Sequence, residues 1–194
     1  MEPDISMDHG EFVGIYSGRH FYPLHPSAAD VDLLDIAHSL AHQCRFAGHT
    51  RSFYSVAQHS VLVSRVCAPQ DALYGLLHDA AEAYLVDVPS PLKHSPEFEA
   101  YRTAEALVHR AIMDAFGLPE YDLPESVEAA DRIVGFAELS ALMPLELATL
   151  YVGRNGSPPP LPFGMRVESW SPTRARREFL ARWLEVRNEK GGPA

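Results

Sequence analysis

Two histidines and two aspartates in apolar surroundings are the residues of this chain best suited to chemistry. His78 and Asp79 are adjacent and directly follow the apolar run 74–77. His59 lies inside a segment with helical periodicity, and Asp131 follows two alanines and precedes Arg-Ile-Val. Burying ionisable groups is costly unless something compensates, and a metal ion is a common compensation. These residue types therefore indicate a metal site made of two imidazoles and two carboxylates.

Mixed nitrogen and oxygen ligands suit a divalent transition metal such as Co, Mn, Fe, Ni or Zn, with positions left open for water and substrate. Such a metal lowers the pKa of a bound water and polarises a phosphoryl or carbonyl oxygen. Glu82 is not needed as a ligand and is free to relay a proton. On one continuous helix, His78 and Glu82 would lie about 40° apart around the axis and Asp79 and Glu82 about 60° apart. The three side chains are therefore expected to share one sector.

Each of these residues also has a purely structural interpretation. A lone buried histidine is more often a hydrogen-bonded core residue than a ligand, and a lone helical aspartate is more often a cap or a surface residue. The set binds a metal only if the helices that carry His59, His78-Asp79 and Asp131 pack together. Sequence spacing does not decide this.

Helical periodicity dominates the chain and predicts the elements that position these residues. The predicted helices cover about 31–45, 54–66, 69–85, 95–116 and 124–142, followed by a short helix through residue 150 and a final helix from Pro172. Pro89 and Pro91 predict an extended break, and residues 14–23 a short strand or hairpin. The expected fold is an all-α, single-domain globule of about six or seven helices over residues 1–187, with a disordered tail over 188–194.

Composition restricts the class of protein. At 194 residues the chain is long enough for one domain with a sizeable core. A formal charge of −10 argues against binding to duplex nucleic acid, although a small anionic substrate remains compatible with it. Two cysteines form no disulfide framework, and neither a signal peptide nor an apolar run of roughly 20 residues is visible. The expectation is a cytoplasmic protein with no membrane partner.

The order His59, His78-Asp79, Asp131 resembles the HD-domain superfamily of metal-dependent phosphohydrolases. The likeness extends over about residues 12–142 and is carried by four motifs. These are Arg-Phe-Ala-Gly-His-Thr at 45–50, Tyr-Ser-Val-Ala-Gln-His-Ser at 54–60, Leu-Leu-His-Asp-Ala-Ala-Glu at 76–82 and Asp-Val-Pro-Ser-Pro-Leu-Lys at 87–93. They are similar to the bacterial and phage branch, which includes 5′-deoxynucleotidases and deoxynucleoside triphosphate phosphohydrolases. The motifs are specific for the superfamily and less specific for the substrate.

The resemblance implies a role for each matching position. The metal ligands would be His59, His78, Asp79 and Asp131. Glu82 would be the general acid/base or would orient the attacking water, and Asp87 would lie close to the phosphate. Phosphoryl transfer depends on positioning and charge neutralisation, so an acidic protein needs local cations.

Arg45 matches a superfamily position that contacts phosphate, and Lys93 is similar to a second anion-binding group. The alternative for both is a solvated surface charge. His49 and Arg51 are close to Arg45 in sequence, which makes them candidates for substrate binding or for a hydrogen bond that anchors the loop. His38 and His42 have the i, i+4 spacing of metal ligands but fit a partly exposed helix face equally well.

The expected function is hydrolysis of phosphate from nucleotides, with deoxynucleotides favoured, by a water activated by one divalent metal. A second divalent ion bound to substrate phosphates is compatible with this, and the motifs do not specify whether a mono-, di- or triphosphate is the substrate. One alternative is a nucleotide- or metal-responsive binding module without turnover, against which Glu82 and Asp87 argue. Another is a cyclic-nucleotide phosphodiesterase, which the short chain makes less favourable. Superfamily members tend to form oligomers, so a homo-oligomer is possible, although no helix stands out as an interface.

Overall fold

The computed structural model describes residues 10–119, 122–156, 159–162 and 164–190, most of which lie in α-helices. The helices are α1 (Leu33–His42), α2 (Val56–Val66), α3 (Ala72–Leu77), α4 (Glu82–Leu85), α5 (Ser90–Lys93), α6 (Glu99–Phe116), α7 (Glu125–Leu142), α8 (Leu145–Asn155) and α9 (Pro172–Lys190). The all-α prediction is confirmed. More segments are present than the six or seven predicted because α4 and α5 are separate four-residue helices.

The short N-terminal hairpin considered from the sequence is present. Its strands are β1 (Val13–Gly14) and β2 (His20–Phe21), which pair antiparallel with Val13 opposite Phe21. Phe21 is fully buried, and its ring stacks on that of Tyr84 with the centroids 3.8 Å apart. The hairpin is thereby fixed to the core beside α4.

Helix α2 lies at the centre of the molecule and packs against α1, α3, α7 and α9. Its residues 56–64 are all buried, including polar Gln58 and His59. Ser55 caps the helix by accepting a hydrogen bond from the Gln58 amide at 3.2 Å. The Gln58 side chain accepts a hydrogen bond from the Trp170 amide at 3.1 Å and donates one to the Glu168 carbonyl, so it fastens the segment before α9. A histidine in this helix is consequently held by packing on all sides.

The predicted continuous helix over 69–85 is wrong between His78 and Ala81. After α3 ends at Leu77, the Ala80 amide donates to the Leu77 carbonyl at 2.9 Å and the Glu82 amide donates to the Asp79 carbonyl at 3.0 Å. These are i to i+3 bonds, and such tight turns place side chains three residues apart on the same side. Asp79 and Glu82 therefore face one cavity for a reason different from the one that helical spacing suggested.

Two other sequence expectations change. The predicted extended break at Pro89 and Pro91 contains α5, because proline is tolerated in the first turn, where its missing N–H has no intrahelical partner. Helix α9 continues through Lys190, so residues 188–190 of the predicted tail are helical, while 191–194 lie outside the described residues. In the proline-rich segment 157–162, residues 157 and 158 also lie outside them, and 159–162 have no regular structure.

Gly75 permits a close approach between α2 and α3. A Cβ atom built on Gly75 would lie 2.9 Å from Cys67 Sγ and 3.0 Å from Ser64 Cα. Only a glycine leaves room for this contact, and the two helices that it brings together carry His59 and lead into His78. Over the described ranges, no helix combines the length and the apolar character needed to cross a membrane.

Candidate metal centre

Three helical segments far apart in sequence meet at one group of possible ligand atoms. His59 comes from α2, His78 from the turn after α3, and Asp131 from α7. His59 Nε2 lies 3.2 Å from His78 Nε2 and 3.0 Å from Asp131 Oδ1, and the three ligand atoms all lie within 4.8 Å of one another. The structure thus brings together three of the four predicted ligands in a group that could hold a metal ion.

Asp79 lies at the edge of this group, and its carboxylate contacts both the two imidazoles and the guanidinium of Arg45. Its Oδ2 is 3.2 Å from His78 Nε2, 3.6 Å from His59 Nε2 and 3.4 Å from Arg45 Nη1. Burial raises the pKa of Asp79, but His78, His59 and Arg45 outweigh it and hold this pKa well below its usual range. A permanently ionised carboxylate therefore borders the two imidazoles.

The ring hydrogen bonds of the two histidines direct both Nε2 atoms into the site. His78 Nδ1 lies 2.9 Å from the Gly75 carbonyl oxygen, and His59 Nδ1 lies 2.7 Å from Glu138 Oε1. Since both acceptors require an N–H at Nδ1, the two facing Nε2 atoms must share either a proton or a metal ion. Facing lone pairs need a cation between them, and a histidine anchored in this way through its second nitrogen is a common metal ligand. The donor set therefore fits a divalent metal.

The electrostatics at His59 also favour a positive charge at this position. Burial and Arg45 lower the pKa of His59, but Glu138 and Asp131 outweigh them and raise it to about 10. A proton or a metal ion satisfies the same surrounding carboxylates. The fully buried ring of His59 is therefore positioned for a cation.

Glu138 is a functional-site residue that the sequence interpretation missed. It is fully buried and contacts His59, Tyr54 and Arg45. The signal available in the sequence was its position seven residues after Asp131, about two turns along the same helix and thus on the same face. A glutamate between Ala137 and Leu139 is otherwise typical of a solvated helix surface.

A cavity of about 470 Å³ opens beside the metal-binding group. Its lining includes the predicted acid/base pair, Glu82 and Asp87, and the predicted phosphate-binding cations, Arg45 and Lys93. Two predicted metal ligands, Asp79 and Asp131, also line it. The structure thus brings together residues that lie up to 86 positions apart in the chain (131 − 45 = 86). Ser90 and His94 lie in the same wall.

Glu82 is buried, and its Oε2 has no hydrogen-bond partner among the described residues. Burial, followed by the charges of Asp79 and Asp87, raises the pKa of Glu82 to about 9. Burial also raises the pKa of Asp87, although Arg45 opposes this. Gln43 holds both segments, since its Nε2 donates to the Glu82 carbonyl at 2.8 Å and its Oε1 accepts from the Asp87 amide at 3.2 Å.

The two cations at the cavity are already paired with carboxylates. Arg45 Nε lies 3.1 Å from Glu138 Oε2, and Lys93 Nζ lies 2.5 Å from Glu105 Oε1. Arg45 begins a turn in which Phe46 and Ala47 have left-handed φ values of 55° and 50°. Non-glycine residues rarely adopt this region, and such strain is frequent at ligand sites. Lys93 is half-buried in the cavity wall.

A second cavity of about 560 Å³ reaches the same group from another side. It shares Asp79, Lys93 and Asp131 with the first cavity and adds His78. The remainder of its charged lining is Arg102, Glu105, Asp122 and Glu128. The metal-binding group therefore lies where two openings meet.

His49 and Arg51 are exposed and are not among the described residues that line either cavity. Their backbone amides donate to the carbonyls of Phe46 and Leu142, at 3.0 Å in both cases. His38 and His42 stack on one another 4.2 Å apart in a different cavity and lie outside the metal-binding group. Backbone bonds anchor the loop at 49 and 51, and the roles of the two side chains stay predictions.

Comparison with known proteins places the chain among bacterial relatives. No protein-family model matches it. It is 42% identical over 123 residues to the uncharacterized protein YfdR of Escherichia coli K12, an alignment that covers 63% of this chain and 67% of YfdR. It is 34% identical over 146 residues to the uncharacterized protein RCAP_rcc00048 of Rhodobacter capsulatus, covering 64% of this chain and 74% of that protein. The chain belongs to the family that includes YfdR and RCAP_rcc00048.

Proposed function

We propose that this protein is a metal-dependent phosphohydrolase of the HD type that removes phosphate from nucleotides, with deoxynucleotides favoured. The observation that carries the proposal is the convergence of His59, His78 and Asp131 within 4.8 Å, beside a cavity that holds two acidic and two basic candidate residues. Neither relative's name states an activity, so the chemistry of the site is the support.

Asp79 is the proposed fourth ligand, because its Oδ2 faces both imidazoles. Two imidazoles and two carboxylates suit Mn, Co, Fe, Ni or Zn. When bound, such an ion would supply Lewis-acid activation of a water molecule and of a phosphoryl oxygen. Five carboxylates surround this point, which are Asp79, Glu82, Asp87, Asp131 and Glu138, so an added positive charge relieves their mutual repulsion.

Glu82 and Asp87 are the proposed acid/base pair. Burial raises the pKa of Glu82 to about 9 in the metal-free chain, which suits this carboxyl to hold a proton and to donate it to a leaving oxygen. Asp87 lies in the same cavity wall and can accept a hydrogen bond from the attacking water or from the sugar-phosphate oxygen. Asp79, whose own pKa is held well below its usual range, stays ionised and helps to keep Glu82 protonated.

Arg45 and Lys93 are the proposed phosphate-binding groups. Arg45 uses Nε for Glu138 and Nη1 for Asp79, and a guanidinium has five N–H donors, so further donors can address a phosphate. Lys93 Nζ carries three donors, and Glu105 takes one of them. The strained turn at Phe46 and Ala47 keeps the Arg45 backbone at the cavity wall.

The test is phosphate release by the purified chain with deoxynucleoside mono-, di- and triphosphates, the matching ribonucleotides and a cyclic nucleotide, each with Mn²⁺ or Co²⁺. We expect metal-dependent release that falls at least about 100-fold in His78→Ala and in Glu82→Gln. The matched control is His25→Ala, because His25 is exposed and outside the site.

Three results would change the conclusion. Full activity in both His78→Ala and Glu82→Gln would show that the site is misplaced. Turnover confined to the cyclic nucleotide would favour a phosphodiesterase. Metal binding without phosphate release from any nucleotide would favour the non-catalytic binding module.

A further inference from the structure

We propose that Glu138 is a positioning residue that holds a metal-binding imidazole and a phosphate-binding guanidinium in one fixed arrangement. The part that concerns Arg45 rests on the proposed function, whereas the part that concerns His59 rests on the metal-binding group alone. The carboxylate would act through these two residues and would touch neither metal nor substrate.

Three donors converge on this one carboxylate. Glu138 Oε1 accepts hydrogen bonds from His59 Nδ1 at 2.7 Å and from the Tyr54 hydroxyl at 2.8 Å, and Oε2 accepts one from Arg45 Nε at 3.1 Å. Both Tyr54 and Glu138 are completely buried. A buried carboxylate is retained only where such contacts compensate its desolvation. The three partners lie 79 to 93 residues away in sequence, so this contact links separate parts of the chain.

The bond to His59 determines which nitrogen is available to a metal. An acceptor at Nδ1 requires an N–H there, so the neutral ring that a metal binds has its lone pair at Nε2. That Nε2 is the atom within 3.2 Å of both His78 Nε2 and Asp131 Oδ1. A carboxylate behind a ligating histidine also fixes the orientation of the ring and raises its basicity, and loss of such a partner weakens metal binding by about 10–100-fold.

The bond to Arg45 fixes the guanidinium from behind. Nε is held by Glu138 and Nη1 is held by Asp79 at 3.4 Å, so the plane of the group is set by two separate carboxylates. Arg45 lines the first cavity from this position. Because one carboxylate positions both residues, the site for a metal and the site for a phosphate have a fixed separation.

Glutamine at this position tests the idea with little change in shape. A carboxylate offers acceptors to all three donors, whereas an amide offers one oxygen and one NH₂ group. In Glu138→Gln the NH₂ group therefore faces either the Arg45 Nε–H or the His59 and Tyr54 donors. One of the two positioned residues loses its acceptor in either orientation.

The experiment is calorimetric titration of the full chain with Mn²⁺, followed by titration of the Mn²⁺-saturated chain with inorganic phosphate. For Glu138→Gln we expect Mn²⁺ affinity to fall about 10–100-fold, or phosphate affinity to fall about tenfold, according to the orientation of the amide. Glu125→Gln is the control, because Glu125 is exposed on the first turn of the same helix. Both affinities unchanged within threefold in folded Glu138→Gln would overturn the proposal.

A second measurement covers the case in which Glu138→Gln does not fold. In the wild-type chain saturated with Zn²⁺, nitrogen-15 NMR of the imidazoles should show His59 protonated at Nδ1, with that proton shifted strongly downfield by the carboxylate. A His59 ring protonated at Nε2 would overturn the proposal. Both readouts are independent of turnover, so a chain without phosphatase activity could still confirm the positioning role, and an active chain could still refute it.

Discussion

Glu82 carries a buried carboxylate oxygen that has no hydrogen-bond partner within the described part of the chain, next to Asp79 and Asp87. Its pKa is raised from an ordinary 4.5 to about 9, so between these values the native chain without metal binds more protons than the unfolded chain. The free energy of unfolding must therefore decrease as pH rises through this window. The resulting loss of stability in the metal-free protein is largest near the upper end of this pH range, at about pH 9.

We therefore expect Glu82→Gln to stabilise the metal-free protein at pH 8 by roughly 1–3 kcal/mol, because the amide avoids the proton uptake that folding of Glu82 requires above its ordinary pKa, and to have almost no effect at pH 4.5. Urea unfolding in the presence of a chelator at both pH values measures this. Glu99→Gln, at the exposed start of α6, is the control and should be neutral at both. A variant less stable than the wild type at pH 8 would contradict the raised pKa.

At the scale of single residues, the sequence predicted the metal-binding group but not the residue behind it. His59, His78 and Asp131 were visible because an ionisable side chain in an apolar helical segment is unusual. Glu138 was not visible, because a glutamate on an amphipathic helix is normally solvated and its partners are distant in sequence. Lys93 was predicted as an anion-binding group, and its contact with Glu105 could not be inferred from spacing.

At the scale of elements, periodicity predicted the helices with an apolar stripe, which include α1, α2, α6 and α7. It did not predict the break after Leu77, because the residues that follow, Ala80 and Ala81, are good helix formers. The structure has i to i+3 bonds there instead of a continuous α-helix. Asp79 and Glu82 face one cavity from this break, so the element that sequence predicted least well is central to the site.

The close approach of α2 and α3 at Gly75 is the basis of a second prediction. In Gly75→Ala the new methyl group would lie 2.9 Å from Cys67 Sγ and 3.0 Å from Ser64 Cα, which is backbone and cannot move alone. We expect a loss of about 1–3 kcal/mol in the free energy of unfolding and weaker Mn²⁺ binding, because His78 moves away from His59 as the helices separate. Urea unfolding and calorimetry measure the two effects.

Gly135→Ala is the matched control, since a Cβ atom at Gly135 in α7 meets nothing within 4 Å. Alanine is the better helix former by up to about 1 kcal/mol, so this variant should be neutral or more stable and should retain metal affinity. Equal behaviour of the two alanine variants would show that the α2–α3 spacing does not determine the separation of the two imidazoles.

At the scale of the whole molecule, the possible ligands add a further connection between segments that packing and hydrogen bonds already join. Residues 59, 78 and 131 belong to α2, the turn after α3, and α7, and the chain around them has a formal charge of −10. Without a cation, the carboxylates at the site repel one another inside the fold. A bound divalent ion would stabilise the native state both by neutralising this charge and by mass action, because the ligands come together only in the folded chain.

A ligand present at 100 times its dissociation constant stabilises the native state by about 2.7 kcal/mol, which for a domain of this size corresponds to a rise in Tm of roughly 5–10 °C. We expect Mn²⁺ or Co²⁺ added to chelator-treated protein to produce this rise. In His78→Ala the rise should disappear, since a lost imidazole leaves one nitrogen ligand, whereas in His25→Ala it should persist. Thermal denaturation over a series of metal concentrations measures this rise. An equal rise in wild type and His78→Ala would show that the ion binds elsewhere on this acidic protein. A rise that depends on His78 and increases with the logarithm of metal concentration would instead show that the fold and the metal centre form a single thermodynamic unit.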